Sequence, residues 1–342
     1  MSETPFHFPS GKRYNSYVGY FRARYGERLQ KVVLDGAMSC PNRDGTLSFG
    51  GCTYCDNAAF HPAYSCAGKD LWLQIDEGIE FHQVRYRKAC HYLAYFQSFS
   101  NTYAPLERLR ALYERALSHP AVVGLVIGTR PDCVDDEKLD YLQALSRGEV
   151  MRNWEREIAG VRRQAPIVIV EYGIESCYDT VLERINRGHD FACAQKAVEE
   201  TARRGIQTGA HFILGLPGES IQQMWDACEK INALPLHSVK FHQLQIVKGT
   251  QMEQEFAQYP EDFERFTLDE YVAFFAQILR RLRPDLYIER VAGEVPPRFV
   301  HSTPWGLVRN ADILKKLDDY MEAKGYCQGD LFLKNPPISL YL

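Results

Sequence analysis

The sequence predicts an α/β fold built on a parallel sheet. Three observations predict it. Short β-branched or aromatic runs recur along the chain, each is followed by a stretch with helical periodicity, and the runs are apolar almost throughout, as in IVIV at 167–170. Alternating strands and helices form right-handed βαβ units, and parallel strands covered on both faces are continuously apolar.

The predicted elements follow in chain order. Six strands are expected at 31–35, 92–97, 122–128, 167–172, 206–214 and 239–246, with helices near 70–88, 105–118, 135–147, 178–204 and 220–233. A helix near 268–283, a strand near 286–291 and a helix near 310–324 extend the fold. We divide the chain into an N-terminal segment (1–30), a core (31–250) and a C-terminal α/β extension (251–342). Residues 146–166 are predicted to be a charged, partly helical surface insertion.

Composition places the chain among soluble globular proteins. Its 342 residues are 45% hydrophobic and 25% charged, and no apolar stretch approaches the length of a membrane span. Because the first residues, MSETPFHFPSGKRYNSY, lack an apolar signal core, we expect a cytoplasmic protein with no membrane association. Ten cysteines in such a chain indicate thiols and metal ligands rather than disulfides.

The N-terminal segment is locally basic although the net charge is −4. Residues 12–31 interleave five tyrosine and phenylalanine side chains with six basic residues, Lys12, Arg13, Arg22, Arg24, Arg28 and Lys31. Basic and aromatic residues together are typical of surfaces that bind phosphates and stack bases. A solvated amphipathic segment explains the same composition.

Three cysteines follow the first predicted strand. They lie in CPNRDGTLSFGGCTYC as Cys40, Cys52 and Cys55, in a loop with three glycines. Ligands in parallel α/β folds bind at the carboxyl ends of the strands, so these thiols are expected there. The stretches after the other strands should converge on the same place.

The identity of the metal is open on spacing alone. His61 would complete a Cys3His zinc site, which needs four closed ligands. Three thiolates would instead hold a four-iron cluster with one open iron, and an open position is what metal chemistry needs. Tyr54 sits between the last two cysteines, where it would pack on a flat ligand such as adenine or simply join the core.

The order of the motifs resembles the radical S-adenosylmethionine (SAM) superfamily. The aromatic residue inside the CxxC pair resembles that superfamily. The long loop between Cys40 and Cys52 resembles the branch of the superfamily that contains the catalytic subunit of Elongator. The bacterial YhcC/YtqA-type family is similar over about residues 10–330, through CPNRDG…GGCTYC, FQSFSNTYAPLE, IGTRPDC, EYGIES, RINRGH, GLPGE, KFHQLQIVKGT and IERVAGEVPPR.

This resemblance implies a partial (βα)6 TIM-like parallel barrel and two cofactors. A [4Fe-4S] cluster would be held by Cys40, Cys52 and Cys55, and SAM would chelate the fourth iron. By motif correspondence, Glu175 and Arg187 are expected to contact SAM, the arginine through the methionine carboxylate. Without the family match, Arg187 is better explained as a surface charge at a helix end.

The sequence departs from the superfamily pattern at two places. The glycine-rich turn that binds the methionine amine is replaced by QSFSNT, so the side chains of Gln97, Ser98, Ser100 or Asn101 are expected to take that role. Elongator-type sequences have a glutamate before TRPD, where this chain has Gly128. The ribose contact is therefore unassigned, with Asp132 as a substitute.

Three further residues are candidates for the site. Cys133 follows the third strand and would donate hydrogen or trap an intermediate, although ordinary packing is the default for such a thiol. His211 and His242 lie within the fifth and sixth strands, where they would face the cavity or be core histidines bonded to carbonyls. The six other cysteines are expected to be buried or incidental.

The expected function is a radical SAM reaction on RNA. The resemblance implies a tRNA substrate, with processing of the carboxymethylaminomethyl group at C5 of the wobble uridine, and an electron donor such as flavodoxin or ferredoxin. We expect residues 12–31 to form the rim that holds the anticodon stem. The alternatives are a radical SAM enzyme acting on a small molecule and a non-catalytic iron–sulfur or zinc protein.

Overall fold

Parallel strands form the centre of the structure, a computed structural model that describes residues 8, 11–59, 61–84, 89–302, 305–306 and 308–332. In chain order the strands are β1 (Gln30–Leu34), β2 (Tyr92–Phe96), β3 (Val122–Thr129), β4 (Arg156–Ile158), β5 (Val161–Arg163), β6 (Ile167–Glu175), β7 (Gln207–Leu214), β8 (Ser238–Gln243) and β9 (Tyr287–Arg290). Within the described residues, seven of them pair in the order β1-β2-β3-β6-β7-β8-β9, all parallel, while β4 and β5 form an antiparallel hairpin. The sheet is a curled half-barrel, which confirms the predicted fold class.

Helices cover the outer face of the sheet. They are α1 (Tyr17–Tyr25), α2 (Leu71–Gln83), α3 (Leu106–Ser118), α4 (Asp136–Ser146), α5 (Asp179–Arg184), α6 (Phe191–Arg203), α7 (Ile221–Ala233), α8 (Gln251–Gln258), α9 (Leu268–Arg281) and α10 (Asn310–Lys324). Residues 85–88, predicted as the end of a helix, lie outside the described residues. None of the helices in the described part of the chain is long and apolar enough to cross a membrane.

The predicted helix over 178–204 is interrupted. Helix α5 ends at Arg184 and α6 begins at Phe191. Between them Asn186 and Gly188 have φ values of 51° and 77°, in the left-handed region that a continuous helix does not use. This break turns the RINRGH segment towards the carboxyl ends of the strands.

The prediction of a partly helical insertion at 146–166 is wrong. Strands β4 and β5 form a hairpin there, and the two residues of its turn, Ala159 and Gly160, have φ values of 48° and 81°. Positive φ at both positions is typical of a type I′ turn, which fits the twist of a hairpin. Trp154 and Ile158 are buried, so the segment also covers part of the core.

Helix α1 closes the amino-terminal end of the half-barrel. Its Tyr17, Tyr20 and Phe21 pack with residues near the starts of strands, including Leu93 and Val123. The segment before it is tied to the C-terminal part of the chain by hydrogen bonds that include Asn15 N to the Gln328 side chain (2.8 Å) and Gln328 N to Arg13 O (2.9 Å). Tyr17, Tyr20 and Phe21 are buried and belong to the core.

Candidate active site

A cavity of about 220 Å³ lies at the carboxyl ends of the strands, and all three cysteines of the predicted loop line it. Cys52 is buried, and Cys40 and Cys55 are partly exposed. Strand β6 contributes Gly173 and Glu175 to the opposite wall. The predicted convergence of the loop with the later strand ends is thus present.

The cysteine loop is clamped onto the segment between α5 and α6. The Asn42 amide donates to the carbonyls of Asn186 and Arg187, and Asn186 donates back to Gly51 O at 2.9 Å. Only glycine fits at Gly188, because φ is 77° and a Cβ atom would lie 2.5 Å from Asn42 Oδ1. The CPNRDG and RINRGH motifs therefore form one rigid unit.

The thiols lie in a partly buried environment that favours metal binding. Burial raises the pKa of Cys55 to about 11, and the neighbouring Cys52 adds to this effect, while Arg43 opposes it. Two N–H donors approach the Cys52 sulfur, Arg187 Nη1 at 3.5 Å and Asn42 Nδ2 at 3.7 Å. A metal that replaces the protons of these thiols would remove the cost of ionising them in a buried site, and donors near sulfur tune an iron–sulfur centre.

The fourth ligand of the zinc alternative, His61, is engaged by other residues. Among the described residues, no group of three or more His, Cys, Asp or Glu side chains is arranged to hold a single metal ion. His61 Nε2 instead bonds with Ser98 Oγ, and its Nδ1 lies 3.9 Å from Asp35 Oδ2. In an iron–sulfur cluster each thiolate binds a different iron, so the sulfurs need not meet at one point.

Glu175 projects into the cavity from a strained backbone. Its φ is 75°, which is unusual for a residue with a side chain, and such strain is concentrated at functional sites. Oε2 lies 2.7 Å from His211 Nδ1 and Oε1 lies 3.8 Å from Arg187 Nη2. Burial alone would raise the pKa of Glu175, but His211 and Arg187 outweigh it and hold the pKa below its usual value.

Arg187 is a buried cavity residue, contrary to the surface-charge alternative. Only 6% of the residue is exposed, and it lines the cavity beside Cys52 and Glu175. One guanidinium nitrogen donates to Gly173 O and another approaches the Cys52 sulfur. Two of the guanidinium nitrogens that the sequence assigned to SAM therefore contact protein atoms instead.

The remaining predicted SAM contacts divide into two groups. Tyr54 and Gln97 line the cavity. Ser98 and Asn101 are not among its lining residues, since Ser98 bonds with His61 and the Asn101 amide donates to Gly128 O at 2.8 Å. Both side chains stabilise the turn after β2.

Asp132 and Cys133 also lie away from the cavity lining. Both oxygens of Asp132 accept hydrogen bonds from Arg130, at 2.8 and 2.7 Å, which occupies the proposed ribose ligand. Cys133 is buried, and burial together with Asp132 raises its pKa to about 12. These contacts favour the packing alternative for Cys133.

Two histidines face the cavity, and their rings are perpendicular with centroids 4.6 Å apart. His211 pairs with Glu175, while His242 Nε2 lies 2.9 Å from Arg290 Nη1. Burial, His211 and Arg290 lower the pKa of His242 well below its usual value, so its ring is neutral. The structure therefore agrees with the cavity-facing alternative for both histidines.

Sequence reasoning missed several cavity residues, among them Arg130, Tyr95, Glu171 and Lys240. The last three lie inside strands. The available signal was a charged residue interrupting an apolar run, as in IVIVEYGIE for Glu171 and SVKFHQ for Lys240. Charges rarely occupy strand interiors unless they are paired or functional.

A second cavity, of about 920 Å³, adjoins the first. The two share three consecutive residues at the end of β8 and just after it, Gln243, Leu244 and Gln245. Aromatic side chains line the second cavity together with the exposed Arg265 and Arg309.

Buried polar atoms around the first cavity lack protein partners. Within the described residues, Arg187 Nε, Arg130 Nη1 and His211 Nε2 have no hydrogen-bond partner. Unsatisfied buried groups are rare, and a polar ligand would satisfy these. Three thiols beside two free arginine donors fit an iron–sulfur cluster with a carboxylate-bearing cofactor.

Family comparisons agree with this fit. The model of the radical SAM superfamily matches residues 48–231, and that of the radical SAM C-terminal domain matches residues 236–323. The chain belongs to the radical SAM superfamily. It is 32% identical to the uncharacterised protein YtqA of Bacillus subtilis over 338 residues, with 97% of each chain covered. The predicted resemblance to the YhcC/YtqA-type family is confirmed.

More distant relatives lie in the archaeon Methanocaldococcus infernus. A tRNA uridine(34) acetyltransferase of that organism is 21% identical over 206 residues, which are 59% of this chain and 34% of that protein. The solved structure of M. infernus Elp3, lacking residues 1–46, matches with a TM-score of 0.63 at 16% identity, covering 90% of this chain and 68% of that one. This structure supports the Elongator-like fold.

The cofactors of this radical SAM enzyme are a [4Fe-4S] cluster and SAM, as in its superfamily. Cys40, Cys52 and Cys55 would hold the cluster, and the free donors of Arg187 and Arg130 would contact SAM. When bound, these cofactors would supply the radical chemistry of the superfamily. The residues that line the cavity would hold and orient them.

Proposed function

We propose that this radical SAM enzyme modifies the C5 side chain of the wobble uridine in tRNA, by processing its carboxymethylaminomethyl group. The observation that carries the proposal is the second cavity. A space of about 920 Å³ opens beside the cysteine-lined cavity across Gln243–Gln245, and it is large enough for a nucleotide. A base entering from there reaches the SAM site without crossing the sheet.

Chemical and family arguments support the same substrate. The carbons beside the amine of this group carry unactivated C–H bonds, which acid–base catalysis does not easily break and a carbon radical does. A relative with 21% identity acts, by its name, on uridine 34 of tRNA. The match covers 59% of this chain.

We place the RNA surface elsewhere than at the expected rim of residues 12–31. Helix α1 packs at the starts of the strands, opposite the cysteine cavity, and this position does not favour a rim there. Arg265 and Arg309 are exposed at the second cavity and are better placed to contact phosphates. A local patch is sufficient despite the net charge of −4, because binding depends on the phosphate contacts made.

The direct test is mass spectrometry of tRNA nucleosides from a strain lacking the gene. We expect carboxymethylaminomethyluridine to accumulate and its processed derivative to disappear, with recovery on re-expression. A Cys52→Ala gene provides the matched negative control. Wobble uridines identical to wild type would refute the RNA proposal and favour a small-molecule substrate.

A second experiment tests the RNA surface. The Arg265→Glu, Arg309→Glu double variant should raise the KM for tRNA and reduce the slope of log KM against log salt by about 2, or about one per lost phosphate contact. SAM cleavage without tRNA should be unchanged. An unaltered salt slope would place the RNA elsewhere.

The proposed setting is the cytoplasm, where thiols stay reduced. A one-electron donor such as flavodoxin or ferredoxin would reduce the cluster. Anaerobic assays that compare these donors for 5′-deoxyadenosine formation would identify which supports turnover.

A further inference from the structure

Four charged side chains meet at the floor of the first cavity. Lys31 of β1, Glu171 of β6, Lys240 of β8 and Glu289 of β9 are each at most 15% exposed. Lys31 Nζ lies 2.8 Å from both oxygens of Glu289 and also contacts Glu171. Two cations and two carboxylates make the cluster neutral.

Lys240 is the loosely paired cation of this cluster. Its Nζ lies 2.9 Å from the Tyr95 hydroxyl but 3.5 Å from Glu171 and 3.8 Å from Glu289. Lys240, Tyr95 and Glu171 line the cavity, whereas Lys31 and Glu289 are not among its lining residues. The cluster therefore presents one cation and one carboxylate to a ligand.

The position of this pair suits a substrate group below SAM. Glu171 precedes Gly173 and Glu175 by two and four residues on β6, so it lies deeper in the barrel than the predicted SAM contacts. Gly173 of β6 lines the cavity, and a Cβ atom there would lie 2.6 Å from Glu175 Oε1 and 2.9 Å from Arg187 Nη2, so the predicted SAM contacts pack directly over the backbone above the pair. Burial alone would raise the pKa of Glu171, but Lys240 and Lys31 reverse this and keep it ionised.

We propose that the floor of the cavity is a subsite for a zwitterionic side chain, in which Lys240 binds a carboxylate and Glu171 binds an amine. This deepens the proposed function and rests on it, because a carboxymethylamino group carries one charge of each sign. The ligand exchanges one ion pair for another and buries no net charge, which limits the desolvation cost. Lys240 would then be a specificity-determining residue of the reaction.

The test is the selectivity of the reconstituted holoenzyme for free nucleosides. We would measure inhibition of tRNA turnover by 5-carboxymethylaminomethyluridine and by 5-aminomethyluridine, which lacks the carboxylate. Wild type should prefer the first by at least about tenfold, the value of one charge-assisted hydrogen bond. Lys240→Met should abolish this preference and leave SAM affinity unchanged.

Lys31→Met is the matched control. It removes one positive charge from the same cluster, but Lys31 is not among the residues that line the cavity. A purely structural cluster predicts that both variants lose stability and bind both nucleosides more weakly at a constant ratio. That result, or an unchanged ratio in Lys240→Met, would overturn the proposal. A preference for the carboxylate-bearing nucleoside that is lost in Lys240→Met but kept in Lys31→Met supports the proposal.

A separate probe distinguishes failure of the subsite from failure of the tRNA proposal. Binding of sarcosine and ethylamine to the holoenzyme can be compared by ligand-observed NMR. If tRNA from the deletion strain is normal but sarcosine binds in a Lys240-dependent way, the subsite stands and the RNA proposal falls. If neither sarcosine nor the nucleosides show a carboxylate preference, the subsite is refuted.

Discussion

Replacing Arg187 by alanine tests the site most directly, because one side chain touches each of its parts. The guanidinium donates to Gly173 O, lies 3.5 Å from the Cys52 sulfur and lies 3.8 Å from Glu175 Oε1. Its Nε has no partner within the described residues and is available to the SAM carboxylate. Two separate losses follow from its removal.

The first loss is in the stability of the apoprotein. Removing one partner of a buried charged pair costs about 3–5 kcal/mol, since the remaining charge stays buried and unpaired. Glu175 keeps His211, at 2.7 Å, so we expect the lower end of that range. The second loss is in SAM affinity, by about ten- to a hundredfold, because a hydrogen bond to a charged group contributes about 1.5–3 kcal/mol.

Urea unfolding of the apoprotein would measure the first loss, and equilibrium dialysis of SAM against the reconstituted protein would measure the second. Arg184→Ala is the control: this nearby arginine also pairs with two carboxylates, of Glu255 and Asp262, but its side chain is 31% exposed. We expect it to lose less than about 1 kcal/mol and no SAM affinity. Equal losses in both variants, or unchanged SAM affinity in Arg187→Ala, would refute the assignment.

Three further predictions follow from the same structure. Replacing any of the three cavity cysteines by alanine should abolish iron retention or SAM cleavage. The Cys66→Ala control should keep about four irons per chain in anaerobic iron analysis. Full SAM cleavage by a cavity-cysteine variant would contradict the cluster assignment. Burial raises the pKa of Glu219 from 4.5 to about 7, so the folded state holds a proton that the unfolded chain releases, and stability should fall as pH rises from 4.5 to 7. Glu219→Gln should remove this slope in denaturant midpoints measured from pH 5 to 8, and a persisting slope would locate its origin elsewhere. Arg22→Glu with Arg24→Glu should leave the KM for tRNA unchanged, because both lie on α1 at the far end of the barrel; a raised KM would mean that RNA reaches that end.

Sequence patterns predicted the sheet well because strand periodicity and order are local signals. The six core strands and the seventh, β9, all appeared where apolar runs were expected. The hairpin at 156–163 was missed because its turn, Ala159–Gly160, is a weaker signal than Asn-Gly. The break before α6 was missed because a tertiary contact with Asn42 holds it.

The site was only partly predictable for a related reason. Cysteine spacing is a local motif, and it led to three residues that do line one cavity. Side-chain direction is not local: Ser98 and Asn101 belong to the right motif but turn towards His61 and Gly128. Tyrosines in α1 looked like base-stacking residues, but whether an aromatic residue packs in the core or faces solvent depends on the completed barrel.

The ties between residues 13–15 and Gln328 also bear on how the protein is made. These contacts span more than 300 residues, so they form only after nearly all of the described chain has left the ribosome. The cysteine loop needs less of the chain: Met252 N–H donates to Thr53 O at 3.0 Å, and Tyr54 packs against a cluster that extends to Phe263. Folding during synthesis can therefore complete the metal-binding end of the barrel first, and α1 closes the opposite end last.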